Sequence, residues 1–141
     1  MTLALAWPSR RLLVATVAAA LLAGCGSLFA PATPEQAVAA RAHARWQAQI
    51  AGDWEKAYGY LSPASRALTP YTVWRGGIRG FTTWKSAEVV SVTCETSEKC
   101  IARVKVVHET VMLRRRLGSI DSAVDETWLL DGGEWWLFHT P

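Results

Sequence analysis

Two different spacings of apolar residues divide this 141-residue chain into a helical part followed by a strand-rich part. Ala39, Ala42, Trp46 and Ile50 recur every three or four residues, which is the spacing of one face of an α-helix. From about Ala87 onward, apolar and polar residues alternate, as they do in a strand with one buried face. The pattern therefore predicts helices first and an antiparallel sheet afterwards.

Cap residues and prolines mark where the predicted helices begin. Thr33, Pro34 and Gln36 provide a capping box with proline at the first helical position, and Gly52 suits the end of that helix. The dipeptides Ser62-Pro63 and Thr69-Pro70 repeat a cap followed by proline. Two short helices or turns are expected at these sites, and the second would bring together three apolar side chains: Tyr71, Trp74 and Ile78.

Asp53 follows Gly52 directly and is expected to cap a second helix. The buried face of that helix would consist of residues at three-and-four spacing: Trp54, Ala57, Tyr58 and Leu61.

The strand-rich part is predicted to form two hairpins. Runs 89–94 and 100–107 are joined by a polar segment, and the second run places Ala102, Val104, Val106, His108, Thr110 and Met112 on one face. Arg103, Lys105 and Glu109 fall on the opposite, wetter face. After an irregular basic stretch, 126–130 and 134–139 form the final hairpin around the turn Asp131-Gly132-Gly133.

The first 25 residues have the organisation of an export signal. Arg10 and Arg11 precede an apolar or small-residue run, 12–24, that is shorter than the roughly 20 residues of a membrane span. The run ends in Leu21-Leu22-Ala23-Gly24-Cys25, which resembles the lipobox of bacterial lipoproteins. The alternatives are a plain signal peptide or a buried helix.

The lipoprotein resemblance implies an address and a modification. Residues 1–24 would be removed, Cys25 would carry the acyl chains that anchor the protein to a membrane, and 25–33 would be a lipidated tether. Gly26, rather than an aspartate, follows the cysteine and implies the periplasmic face of the outer membrane in a two-membrane bacterium. The remaining 34–141 suffices for one domain.

The charge balance argues against one class of function, and the cysteine count predicts a disulfide. Removing Arg10 and Arg11 from the 15 basic residues leaves 13 against 12 acidic ones, so nucleic-acid binding loses its main support. Of the three cysteines, Cys94 and Cys100 remain once Cys25 is assigned to lipid. They form an even pair that is expected to be a disulfide across the tip of the first hairpin.

The order of elements predicts an α+β fold, with N-terminal helices packed on a curved four-stranded antiparallel sheet. Trp46, the Gly52-Asp53-Trp54 turn, Leu61-Ser62-Pro63 and the late 128–136 hairpin resemble the nuclear transport factor 2-like superfamily. The resemblance implies a cone that is open to a small ligand, with the last hairpin at the centre of the sheet. Some members of the superfamily are isomerases, dehydratases or cyclases, and many are non-catalytic.

Three residues are weak candidates for catalysis. His108 lies on the inward face and suits a general base, or it is a histidine bonded to a tyrosine or a carbonyl. Asp53 matches an acidic position of several superfamily enzymes but also suits a helix cap. Tyr58, like Tyr71, offers a hydroxyl donor or a core side chain, and the tryptophans form either core or an aromatic ligand box.

The remaining polar groups are expected to be exposed to solvent. Asp125 and Glu126 flank a strand start and are expected to be hydrated, as is the run Arg114-Arg115-Arg116, which could alternatively touch anionic head groups. His43, His108 and His139 are scattered, so no metal and no cofactor is expected.

The leading hypothesis is a non-catalytic, membrane-anchored envelope module that binds a partner protein or a small apolar ligand. One alternative is an isomerase or dehydratase that uses His108 as general base together with Asp53 or a tyrosine. Another is a subunit of an envelope assembly, with Trp84 or Trp135 in an exposed patch.

Overall fold

A computed structural model describes residues 32–78, 82–112 and 115–140, without the side chains of 82, 110–112 and 115–117. The predicted signal 1–24, Cys25, the tether up to residue 31, and Arg114 lie outside this part, as do the side chains of Thr110 and Met112. Within the described residues, no helix has the length and apolar character that crossing a membrane requires.

Helix α1, Pro34–Ile50, begins at the capping box that the sequence predicts. The Thr33 side chain accepts a hydrogen bond from the Gln36 backbone, and the Gln36 side chain accepts one from the Thr33 backbone. Ala51 is the C-cap, and Gly52 follows it with φ +79°, a conformation that glycine adopts without strain. The buried face is centred on Val38, Ala42, Trp46 and Gln49, so Ala39 and Ile50 are only partly buried.

Three short helices follow: α2, Trp54–Gly59; α3, Pro63–Leu68; and α4, Tyr71–Gly77. Asp53 and Ser62 cap α2 and α3 as predicted. Thr69 does not cap α4, contrary to the prediction, because it ends α3 in an extended conformation and Pro70 occupies the cap position. A residue that precedes proline is restricted to such extended backbone.

The sheet has four antiparallel strands: β1, Thr82–Thr96; β2, Lys99–Met112; β3, Arg115–Asp131; and β4, Glu134–Leu137. They lie in the order β1-β2-β3-β4 and form an open sheet with helices packed on it. The predicted α+β class with four antiparallel strands is therefore confirmed. The last hairpin lies at the edge of the sheet rather than at its centre.

Strand β3 pairs with β2 along most of its length. The prediction of an irregular stretch before Glu126 is wrong, because β3 pairs with β2 from Arg115 onward and so satisfies its backbone hydrogen bonds along a long neighbour. At the other end of β2, Cys94 and Cys100 lie opposite each other on neighbouring strands and are paired, as the sequence predicts.

The core lies between α1 and the inward face of the sheet, at the end of the sheet that carries the cysteine pair. Its fully buried members include Val38, Leu61, Cys100 and Trp128. The chain after α2 is tied to β4, because Ser62 N–H donates to the Leu137 carbonyl over 2.9 Å. This arrangement fixes the helices over one end of the sheet.

Candidate functional site

A cavity of about 480 Å³ opens where the helices cease to cover the sheet. Directly opposed residues on neighbouring strands project from the same face, and here those residues are Trp84, His108 and Ile120. Moving along β3 from the core toward this opening, Glu126 is 5% exposed, Val124 38% and Ile120 44%. The inward face of the sheet thus extends beyond its helical cover and leaves apolar side chains in contact with solvent.

Three indoles border the cavity. Trp46 comes from α1, Trp74 from α4 and Trp84 from β1. The rings of Trp46 and Trp84 meet edge to face with centroids 5.9 Å apart, which is a favoured geometry for an aromatic pair. Trp74 is buried and packs against Tyr58 at 5.4 Å. The cavity therefore has walls that are partly aromatic.

Beside the cavity lies a buried ion pair that the sequence analysis did not predict. Arg45 Nη1 on α1 donates to Glu126 Oε1 on β3, and both residues are almost inaccessible to solvent. Trp46 Nε1 donates to the same oxygen over 2.8 Å, and Trp128 Nε1 donates to Glu126 Oε2 over 3.2 Å. Both carboxylate oxygens are therefore hydrogen-bonded within the fold. The expectation that Glu126 is hydrated is wrong, whereas Asp125 is exposed.

Burial dominates the electrostatics of this pair. It raises the pKa of Glu126 above its ordinary value of 4.5, despite the opposing effects of Arg45 and the two indole donors. It also lowers the pKa of Arg45, against the attraction of Glu126. Because both charges are buried, removing either partner would leave the other as an uncompensated charge in the protein interior, which is strongly destabilising.

Two buried polar atoms, each on a side chain that borders the cavity, have no hydrogen-bond partner within the described part of the chain. They are Arg45 Nε and Gln49 Oε1, on side chains that border the cavity from successive turns of α1. Arg45 is 8% exposed and Gln49 is 5% exposed. Such an atom costs about 1–3 kcal/mol when it is left unpaired.

His108 borders the cavity on the inward face that the alternation predicts. Asp53 does not, since its exposed carboxylate accepts from the Lys56 backbone at 3.2 Å and caps α2. Tyr58 packs in an aromatic cluster with Tyr71, and its hydroxyl donates to the Thr69 carbonyl over 2.9 Å. The structure thus places His108 apart from the two residues considered as its catalytic partners.

The remaining candidates occupy separate places. His139 also borders the cavity, whereas His43 lies on the exposed side of α1. In the described ranges, no three His, Cys, Asp or Glu residues are grouped as a metal site would require. Arg115 and Arg116 lie in strand β3 rather than in a loop. Trp135, considered for an exposed patch, is buried, and Trp84 is partly buried.

A signal for Arg45, Gln49 and Glu126 was present in the sequence. Arg45 and Gln49 lie three and seven residues after Ala42, on the stripe that the helical spacing marks as buried. Glu126 alternates with Trp128 and is therefore on the same face of β3. Opposite charges at two inward positions would have predicted a buried pair.

No family model matches the chain, and no curated protein matches it significantly. Among solved structures, it is similar to the solution structure of a SEC-C motif containing protein from Rhodopseudomonas palustris. The match has a TM-score of 0.53 at 16% identity and covers 71% of this chain and 73% of the other. At that identity, the likeness concerns the fold alone.

Proposed function

We propose that this domain binds a small, largely apolar ligand in the cavity between Trp74, Trp84 and Val124, and that it does so without catalysing a reaction. The observation that carries the proposal is the uncovered inward face of the sheet. Apolar side chains are exposed there, at the mouth of a cavity with indole walls. Preformed, mostly apolar cavities of this size are typical of small-molecule sites.

An apolar ligand would bury apolar surface that the fold leaves exposed to water, and this burial is favourable. Fully burying a valine or isoleucine side chain contributes about 1.5–3 kcal/mol. Because Val124 borders the cavity and is 38% exposed, covering it would contribute on the order of 0.5–1 kcal/mol, before the indoles are counted. Its exposure therefore favours occupancy by an apolar molecule.

The lining of the cavity favours binding over catalysis. Its described residues include His108 and His139 but no carboxylate and no phenol. Glu126, the nearby buried acid, already accepts hydrogen bonds at both oxygens. A general base is normally oriented by a third group, and none of the described lining residues offers His108 an acid or a phenol. The isomerase or dehydratase alternative retains only the position of this histidine.

The test is an affinity measurement with isobutylnaphthalene, an apolar aromatic probe, by equilibrium dialysis. Val124→Phe fills the mouth of the cavity and should weaken binding by about tenfold or more. Val90→Phe is the matched control, because Val90 is an exposed strand valine that does not border the cavity. Unchanged affinity in Val124→Phe, or absence of binding to the natural protein, would contradict the proposal.

The proposal also includes the address that the lipobox resemblance implies. Cys25 would carry the lipid that holds the domain on the periplasmic face of the outer membrane. A paired Cys94 and Cys100 supports a compartment in which disulfides persist. Native mass spectrometry of the protein from its own envelope should give a chain that begins at an acylated Cys25. A full-length, unmodified chain would overturn this address.

We also propose, from the sequence resemblance, that the domain is a member of the nuclear transport factor 2-like superfamily. This membership is supported by the succession of helices and four antiparallel strands and by a cavity at the open end of the sheet. The edge position of the last hairpin departs from the expected pattern.

A further inference from the structure

We propose that the ligand of this cavity is an apolar molecule with one anionic group, such as a carboxylate, and that His108 and His139 bind this group. This inference rests on the proposed function and names the chemical class of its ligand. It follows from the polar side chains at the cavity that remain free to form hydrogen bonds, and from the charges on its lining.

The polar side chains at the cavity differ in their availability. Apart from the indoles, the described lining residues with polar side chains are Arg45, Gln49, His108, Ser122 and His139. Arg45 and Gln49 are more than nine-tenths buried. The Ser122 hydroxyl donates to the Val106 carbonyl over 3.4 Å. The two histidines are therefore the polar side chains of the described lining that a ligand can engage.

Both histidines border the cavity with accessible rings. His108 lies on the inward face of β2, opposite Trp84 and Ile120, where the helices no longer cover the sheet. His139 follows β4, and its backbone N–H donates to Ser65 Oγ over 3.0 Å. Both residues are partly exposed. Their ring nitrogens are neither hydrogen-bonded within the described ranges nor buried, so a ligand in the cavity can reach them.

The charges around the cavity favour an anion. Histidine gains a proton as the pH falls through the range near neutrality, and the described lining residues include no carboxylate that would balance this charge. Arg45 is already balanced by Glu126 in the buried pair. A carboxylate accepts a charge-assisted hydrogen bond from a protonated imidazole, whereas a cationic ligand would be repelled by it. The cavity is therefore suited to an apolar body with a negatively charged end.

An anionic ligand implies a pH dependence of definite sign. A carboxylate next to an imidazole stabilises its protonated form, so the affinity should rise as the pH falls from about 8 to about 6. Among the described residues that border this cavity or the smaller cavity next to His139, the remaining charged side chain is Arg45. Its partner Glu126 titrates as well, and burial raises the pKa of this carboxyl group. The effect of Glu126 persists in a variant without the two histidines, which separates it from theirs.

The experiment compares naphthaleneacetate with its neutral counterpart, naphthaleneacetamide, by equilibrium dialysis against the full-length protein at about pH 6. The acetate should bind about tenfold more tightly than the amide, since hydrogen bonds between charged groups contribute more than those of neutral groups. Isobutylnaphthalene, the probe of the proposed function, is measured alongside. If it binds while the amide equals or exceeds the acetate, the inference is overturned and the proposed function stands. If none of the three binds, both fail.

A double variant assigns the preference to these side chains. In His108→Gln/His139→Gln, the preference for the acetate and its dependence on pH should largely disappear, because glutamine stays neutral, while isobutylnaphthalene should bind as before. His43→Gln is the matched control, because His43 lies on the exposed side of α1 and does not border the cavity. This control should retain the preference. A double variant that binds isobutylnaphthalene and still favours the acetate as strongly as the natural protein contradicts the inference.

Discussion

Arg45 and Glu126, 81 residues apart in the chain, form a buried ion pair that joins the first helix to the third strand. The carboxylate also receives both neighbouring indole N–H groups, from Trp46 and Trp128. A helix, a strand and two core tryptophans therefore share one charged group. Its removal should affect the fold and the adjacent cavity together.

Arg45→Met should destabilise the protein by about 3–5 kcal/mol, because it leaves Glu126 buried without its counter-charge. The double variant Arg45→Met/Glu126→Gln should recover part of that loss, because no buried charge remains. The single oxygen of the introduced amide can still accept from one of the two indoles, whereas the other indole loses its acceptor. Urea unfolding followed by circular dichroism measures both effects.

The exposed pair between Lys105 and Asp121 serves as the control for this comparison. Lys105→Met should change stability by less than about 1 kcal/mol, since exposed pairs contribute little. A Glu126 pair that behaves like this surface pair, with equally small losses, would contradict the interpretation.

The buried carboxylate predicts a pH dependence of definite sign. Because burial raises the pKa of Glu126 above 4.5, the native state keeps a proton that the unfolded chain has already released. The contribution of Glu126 to stability is therefore complete below pH 4.5. It decreases as the pH rises from 4.5 to the folded-state pKa and is constant above that value.

Thermal unfolding midpoints of the natural protein and of Arg45→Met/Glu126→Gln, measured at constant ionic strength from about pH 4 to 8, isolate this effect. The natural protein should lose stability relative to the variant as the pH rises through the window. Parallel curves, or a relative gain for the natural protein, would show that the assigned direction is wrong.

The cysteine pair closes a short loop, with six residues of sequence separation between its members. Cys94→Ala/Cys100→Ala should therefore destabilise the protein by about 2 kcal/mol under oxidising conditions. Urea unfolding is the measurement, and adding a reductant to the natural protein should reproduce most of the loss. A double variant as stable as the oxidised protein would mean that the pair makes no such contribution.

The final hairpin depends on glycine at its turn. Gly133 has φ +81°, where a side chain is strained, so Gly133→Ala should cost about 1 kcal/mol. Gly59→Ala is the matched control, because Gly59 lies in α2 and an added Cβ would meet nothing within 4 Å. Alanine there should be neutral or stabilising by about 0.5–1 kcal/mol. Equal losses at both positions would contradict the turn assignment.

Local chemistry made much of this fold predictable. The capping box at Thr33 and Gln36 and the glycine turn after Asp131 depend on neighbours within a few residues, and both were predicted correctly. The alternation in β2 also placed His108 on the inward face.

Features that depend on distant partners were not predicted. The segment that becomes the first part of β3 is basic and contains Gly118, and it forms a strand because the length of β2 is available for pairing. Glu126 was expected to be solvated because its partner, Arg45, is distant in the sequence and lies next to it only in the folded protein. Gln49 was missed for a related reason, because a polar side chain on a buried stripe has meaning only once the cavity beside it is known.

The central claim, a ligand site between the indoles, is tested most directly by the indole N–H resonances in a proton–nitrogen correlation spectrum. Isobutylnaphthalene should shift the signals of Trp74 and Trp84, which border the cavity, in a saturable manner. Trp136 should not respond, since it lies in β4 and does not border this cavity. Unmoved signals from Trp74 and Trp84, or a shift of Trp136 alone, would contradict a binding site at this position.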